Sequence, residues 1–350
     1  MEFIKKEYKS PNKRDYRQFL LAGDIGGTNC SLGIFGIKNK LPELIASFHF
    51  KSRKLKNLYE PINLVLGHAK KEWNIKIERC CLGVAGVLSA KKDYVHLTNA
   101  NLHLAKKELS KKAGFKKIIL MNDFEALGYW INTISRRDIR TIRKGVKISK
   151  APAVVIGAGT GLGKATLVYD KAKNIYIPLA SEIHHADFPA QDVGELELVE
   201  FIKKQRKIGN AGNGDILSGN GLESIYLFLR KSGRFKQSKL HKEIYMAKNR
   251  AEMISKYRKN DITCRKTFEI FKSAYARFAK GCALDSLSFN GVYIAGGIAI
   301  KNQDIFDKKF VKEFEESHKM EKILRKIPIY LVLNTNAGLL GAGFAGAMMK

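Results

Sequence analysis

Asp24 stands inside the string Gly23-Asp24-Ile25-Gly26-Gly27-Thr28-Asn29, flanked by the apolar runs Phe19–Ala22 and Cys30–Phe35. This reads as strand, tight glycine turn, strand. A turn without Cβ atoms exposes backbone N–H groups to which a phosphate can come close. A carboxylate in the same turn repels that phosphate unless a divalent cation lies between them. The string therefore points to a metal–nucleotide site, with Asp24 holding Mg2+ through water, since Mg2+ keeps much of its hydration shell. A plain Gly-Gly hairpin competes with it. A second candidate group is Asn122-Asp123, which closes the apolar run Ile118–Met121. A carboxylate at a strand end can accept a hydroxyl proton, and a neighbouring Asn can both donate to and accept from a polyol. The same pair can instead cap a helix starting at Phe124, with Glu125 in its first turn. The third group is Glu182 and His185, three residues apart in a polar stretch with His184 and Asp187. A carboxylate and an imidazole at that spacing can bracket vicinal hydroxyls. Surface polarity or a metal pair are the alternatives, although ligands so close in sequence need a distant partner to surround an ion.

These groups need strand ends and turns to hold them. Residues 17–50 read as strands around the first glycine turn. Residues 59–73 have helical periodicity, with Ile62, Val65, Leu66, Ala69 and Trp73 on one face. A buried strand is expected at 79–87, a lysine-rich helix at 104–113, a strand at 117–121 and a helix at 124–134. Gly159-Thr160-Gly161 interrupts two further strands, 153–157 and 164–169. Helices are expected at 193–204, 221–229 and across 239–285, the last broken near Asn260-Asp261. A strand at 291–298 runs into Gly296-Gly297, and a final strand (327–333) precedes a small-residue helix (338–349). No glycine string closes with the Lys-Ser or Lys-Thr of a Walker loop, and none is a Gly-x-Gly-x-x-Gly opening a helix. The alternation gives an α/β class. A length of 350 residues implies two domains.

Composition excludes several classes. Hydrophobic content of 45% supports packed cores, and no apolar stretch is long enough to span a membrane. The N-terminus is charged and is not a secretory signal; residues 1–16 are expected to be a disordered extension. The five cysteines form no Cys-x-x-Cys and read as buried, reduced thiols of a cytoplasmic protein. The net charge of +30 is high. No helix-turn-helix, zinc finger or interleaving of aromatic and basic residues accompanies it, so it reads as a solvated basic surface with no specific nucleic-acid partner.

In order and spacing, the motifs make the chain, over roughly residues 19–348, resemble the bacterial-type glucokinase family of the hexokinase-type, actin-like ATPases. The segments that carry this are Gly23–Asn29, Leu82–Gly86, Leu97-Thr98-Asn99, Met121–Ala126, Gly159–Gly163, Glu182–Phe188, Leu217–Leu222, Gly291–Ile298 and Gly338–Gly341. The resemblance implies a two-lobed actin-like (ribonuclease H-like) fold with an interlobe cleft. Residues 17–121 would form a small lobe completed by a C-terminal helix at about 335–350. Residues 122–334 would form a large lobe with a helical segment at about 195–285. It implies ATP-dependent phosphorylation of glucose with Asp123 as base and Mg2+ and ATP as cofactors, in a cytoplasmic homodimer without a membrane partner. Asn122, Thr98, Asn99, Glu182 and His185 would bind the sugar; Gly159, Thr160 and Gly161 would form the second phosphate loop. Gly296 and Gly297 would pass beneath the adenosine.

Two positions depart from the family pattern. Ile183 and His184 stand where the family has Gly-Gly, and an isoleucine would be strained if that backbone has positive φ. Gly214 stands where the family has a sugar-contacting glutamate, which leaves Asp215, one residue on, as the substitute. The lost carboxylate opens two alternatives: a kinase for another hexose or an amino sugar, or a catalytically impaired sugar-sensing or nucleic-acid-associated homologue. The family's related repressor and kinase branch carries a Cys-rich zinc loop, which this chain lacks.

Overall fold

The computed structural model describes residues 1–97, 101–233, 235 and 238–349. Thr98 and Asn99 lie outside the described residues. In chain order the strands are β1 (Ile4–Glu7), β2 (Gln18–Ile25), β3 (Asn29–Lys38), β4 (Leu41–Lys51), β5 (Arg79–Val84), β6 (Val87–Leu88), β7 (Tyr94–Leu97), β8 (Leu102–Ala105), β9 (Lys117–Asn122), β10 (Ile139–Arg143), β11 (Ala153–Ala158), β12 (Leu162–Asp170), β13 (Ile175–Ser181), β14 (Gly291–Ala295) and β15 (Ile329–Val332). The helices are α1 (Tyr59–Trp73), α2 (Lys106–Ala113), α3 (Asp123–Trp130), α4 (Val193–Arg206), α5 (Asn213–Ile216), α6 (Gly219–Lys231), α7 (Leu240–Met246), α8 (Arg250–Tyr257), α9 (Ile262–Ser286), α10 (Gly297–Lys301), α11 (Lys308–Glu315), α12 (Glu321–Leu324) and α13 (Ala337–Ala347).

The chain packs as two units. Residues 1–135, 170–180 and 334–350 form the first, and residues 136–169 and 181–333 the second. The expected boundary after residue 121 therefore moves to 135, because α3 packs against α13, which returns to the first unit. A side chain at Gly341 would meet the Ala126 carbonyl at 1.9 Å, so only glycine allows this approach. The expected disordered extension is also corrected. Residues Ile4–Glu7 pair antiparallel with β4, with Ile4 opposite His49, and Tyr16 is buried. A strand of sequence IKKE with every residue exposed shows no alternation, so pairing alone defines it.

In the first unit the sheet order is β1-β4-β3-β2-β5-β9, with β2, β5 and β9 parallel. Strand alternation sorts β2 onto two faces. Leu21 and Ile25 pack with Ile62, Val65 and Ala69 of α1. Leu20 and Ala22 pack with Leu339, Ala342 and Ala345 of α13. A three-stranded sheet, β6-β7-β8, lies in the same unit. Leu104, expected to open a helix, lies in β8 instead, and α2 starts two residues later.

The second six-stranded sheet runs β10-β15-β14-β11-β12-β13, with β11, β14 and β15 parallel. Val154, Ile156, Val292 and Ile294 share a core with Phe268, Phe271, Tyr275 and Phe278 of α9. The break expected near Asn260-Asp261 separates α8 from α9, and the Asp261 carboxylate accepts from the Cys264 N–H to cap α9. All five cysteines are buried and free.

Candidate functional site

In the first unit the candidate residues sit at the carboxyl ends of parallel strands. Asp24 near the end of β2 is in register with Gly83 of β5, which is opposite Met121 of β9. Asn122 and Asp123 follow directly. Gly83 has no side chain between the two carboxylate-bearing strands, and a Cβ there would meet the Ala126 methyl at 2.5 Å. The turn after Asp24 is closed by Gly26 N–H donating to the Asn29 carbonyl (2.9 Å). Ser52, which sequence reasoning did not single out, fastens it from outside. Its N–H donates to the Thr28 carbonyl (3.0 Å) and its Oγ to the Gly26 carbonyl (2.6 Å). Neither Gly26 nor Gly27 has positive φ. A Cβ on Gly26 would touch only the Asn29 carbonyl, at an ordinary 3.5 Å. Neither packing nor backbone conformation demands glycine at Gly26. The open face of the turn is the feature that a side chain would cost.

Asp24 is half-buried, and its carboxylate lies on the first turn of α13, where a Cβ at Gly338 would fall 2.4 Å from Oδ2. Burial first, and the charge of Asp123 second, push the Asp24 carboxyl up to about 7. Asn122 does cap α3: its Oδ1 accepts from Phe124 N–H (2.8 Å) and Glu125 N–H (3.4 Å). Asp123 is the first residue of that helix, with Oδ1 accepting from Phe124 N–H at 3.0 Å. The next turn residue, Glu125, is buried and held by both oxygens on Lys92 Nζ (3.0 and 2.9 Å). Lys92 comes from the β6–β7 turn, and only the fold reveals this support.

In the second unit the glycine turn 159–161 joins β11 to β12. Gly159 N–H donates to the Gly161 carbonyl (2.7 Å), and Gly219 N–H, at the start of α6, donates to the Gly159 carbonyl (2.9 Å). A Cβ at Gly159, Gly161 or Gly297 would meet nothing within 4 Å. Gly296 differs: its φ is +94°, and a Cβ would lie 2.6 Å from the Ala158 carbonyl. The pair thus divides into a glycine that the fold requires and a glycine that it does not. Because Gly157 is opposite Ala295, the two glycine strings lie at the ends of adjacent parallel strands.

Residues 183–185 form a short 3-10 turn, and neither Ile183 nor His184 has positive φ, so the strain feared at Ile183 is absent. Asn213 secures this segment, its Nδ2 donating to the Ala186 carbonyl (2.9 Å) and Ile183 carbonyl (3.3 Å). Glu182 and His185 are exposed, and His184 is half-buried. Burial, then the neighbouring His185, push the His184 imidazole pKa down, while Glu182 and Asp215 act the other way. Gly214 lies beside His184: a Cβ there would be 3.4 Å from both the ring Cδ2 and the His184 carbonyl. The two departures from the family pattern are one contact. Asp215 is engaged elsewhere. Its Oδ1 pairs with Arg206 and its Oδ2 accepts from Gly212 N–H at 2.9 Å, which accounts for the residue structurally.

A sequence model of the glucokinase family matches residues 21–349. The chain belongs to the glucokinase family. It is 29% identical over 344 residues to a glucokinase of Nostoc punctiforme, covering 94% of this chain and 99% of that protein. A Trichormus variabilis glucokinase is 30% identical over 348 residues, with 94% and 99% covered. Among solved structures, a glucokinase from an Antarctic psychrotroph superposes with a TM-score of 0.76 at 25% identity, covering 94% of this chain and 98% of that one. A Balamuthia mandrillaris glucokinase solved in complex with glucose shares the fold at a TM-score of 0.78 and 21% identity, with 94% and 93% covered. The architecture is accordingly the actin-like ATPase fold, and the chain is a hexokinase-type sugar kinase of the glucokinase family, whose reaction is ATP-dependent phosphorylation of glucose. Among the described residues no helix is long and apolar enough to cross a membrane.

Proposed function

We propose that this glucokinase-family chain makes glucose 6-phosphate by in-line transfer, with Asp123 as general base and Asp24 as the carboxylate that faces the metal. The observation that carries this reading is the pair itself. The charge of Asp123 raises rather than relieves the electrostatic cost of Asp24, and both influences on Asp24 act upward. Two carboxylates so placed fit a cation between protein and phosphate.

Mg2+ supplied with ATP would neutralise phosphate charge as it develops. Asp24 would hold it through water, and with the Gly26 N–H committed to the Asn29 carbonyl, the Gly27 N–H of the turn would be offered to the phosphates. Gly159, Thr160 and Gly161 would receive the nucleotide phosphates in the second unit, with the uncrowded Gly297 beneath the adenosine. Asp123 accepts the proton of the sugar 6-hydroxyl as its oxygen bonds to the γ-phosphorus and the bond to ADP breaks. The Asn122 Oδ1 stays on the helix cap, which leaves its amide N–H groups for the sugar. Glu182 and His185, exposed on a firmly tied turn, take sugar hydroxyls. Cytoplasmic location and homodimeric assembly accompany this reading on family grounds.

The test is coupled measurement of ADP release over a panel of hexoses and amino sugars, with Asp123→Asn as the control. Glucose-dependent release that the variant loses supports the reading. Release with an amino sugar alone would reassign the substrate, and sugar-independent release would remove kinase activity altogether.

A further inference from the structure

The turn at 182–185 carries more donor chemistry than hydroxyl binding uses. One ligand atom each from Glu182, His184 and His185 lies within 4.8 Å of the other two. Adjacency in sequence does not keep these side chains apart. The 3-10 turn brings the two imidazoles together, tilted by 41° with ring centroids 3.8 Å apart, and Glu182 Oε2 approaches His184 Nδ1 to 3.3 Å. That approach lacks hydrogen-bond alignment, and the buried Nδ1 has no hydrogen-bond partner. An unpaired ring nitrogen out of water is costly unless something binds it. Around a tetrahedral ion with bonds of about 2.1 Å, ligand atoms sit roughly 3.4 Å apart. One pair already has that spacing, and Glu182 and His185 are exposed, so packing does not fix their side chains.

We propose that Glu182, His184 and His185 form a three-ligand site for a borderline divalent cation, specifically Zn2+, with the fourth position open to water. Two nitrogens and a carboxylate are the donor set of an open zinc site, whereas Mg2+ prefers oxygen ligands. His184 makes the difference: Gly214 leaves the space beside which its ring rests. The five cysteines are all buried and do not compete for the ion. Because Glu182 and His185 are the groups assigned to sugar hydroxyls above, ion and sugar exclude one another; this second half rests on that reading.

The experiment is calorimetric titration of ZnCl2 into tag-free protein without nucleotide, since ATP itself chelates zinc. His184→Gly and His184→Asn are compared with the unaltered chain, and His318→Ala serves as a control outside the site. One bound equivalent is expected in the parent and in His318→Ala, weakened at least about tenfold in both His184 variants. Equal zinc affinity in the parent and in whichever His184 variants fold overturns the site. Titration is then repeated with saturating glucose. Lost zinc binding supports both halves. Retained, His184-dependent zinc binding supports the metal site and removes Glu182 and His185 from the sugar.

Discussion

The two units hold their candidate residues differently. In the first unit, Asp24, Asn122 and Asp123 are set by strand register: parallel neighbours fix their relative height, Gly83 clears the space between them, and Ser52 and Lys92 hold the adjoining turns. In the second unit, Glu182, His184 and His185 ride on a three-residue turn held chiefly through Asn213. In the register-bound half the resemblance to the family runs through Gly23–Asn29 and Met121–Ala126. The turn-bound half has exchanged glycines for Ile183 and His184 and a glutamate for Gly214. A turn tied at a few carbonyls can accept new side chains without moving the sheet. Substrate preference can therefore change there while the phosphoryl-transfer groups stay fixed.

The contrast breaks most visibly at Asp123. Asp123→Ala should reduce turnover by about 10²-fold or more with sugar binding retained, the usual scale for a lost general base. Near-normal turnover in steady-state kinetics would take the residue out of that role.

Asp24 tests the electrostatic cost of the same half. Its pKa is raised from 3.8 to about 7 by burial and by Asp123. A folded-state pKa above the unfolded one means that the folded chain binds the proton more tightly. Stability contributed by protonated Asp24 is thus lost as pH rises from about 4 to about 7. Asp24→Asn has no such loss. Its stability relative to the parent should grow by about 2–3 kcal/mol between pH 5 and pH 8. Urea unfolding at both pH values measures this, and an unchanged difference refutes it. The variant should use Mg·ATP poorly despite being more stable.

The turn-bound half predicts a coupled effect. Gly214→Glu alone places its Cβ against His184 and should lower the KM for glucose little or not at all. Combined with His184→Gly, it should lower that KM by about tenfold, the scale of one charged hydrogen bond. If the two changes act additively in a double-mutant cycle, the residues are not one contact.

The smallest expected effect separates fold from ligand at the glycine turns. Gly159→Ala and Gly297→Ala should leave thermal stability unchanged and raise the KM for ATP by roughly threefold to tenfold, because only a ligand would meet the added methyl. Gly296→Ala should instead lose stability through its positive φ and the Ala158 carbonyl. Thermal melts and ATP kinetics on the three variants sort them.

Much of the first half was legible in sequence because its strands are long, apolar and closed by glycine. The β2 turn is of this kind, β9 ends instead at Asn122-Asp123, and in the second unit the break near Asn260-Asp261 could also be read. The β1, β6 and β10 strands were not, being short and without a buried residue, and β7 alternates, with Val95 and Leu97 buried, over four residues only. The unit boundary was misplaced because its cause is one close approach, Gly341 to Ala126, between residues far apart in the chain. Ile183-His184 and Gly214 each stood out as an anomaly in sequence, but only space shows that they touch. Ser52 and Lys92 carry no local signal, since each acts on a segment distant in sequence, Ser52 on the Gly26–Thr28 turn and Lys92 on Glu125 of α3.

Helix α13 has a consequence for how the protein is made. It covers Leu20 and Ala22 of β2, among the earliest strand residues to leave the ribosome, yet it is synthesised almost a full chain length later. During translation of everything between, that face of the first sheet stays open to water and to other nascent chains. The first unit cannot finish before the second has been synthesised. The gap in the second unit is shorter, from the end of β11 at Ala158 to the start of α9 at Ile262. Yield in the cell should therefore depend on chaperones that shield an unfinished sheet, and truncation within α13 should leave insoluble protein in which the first unit has lost its order.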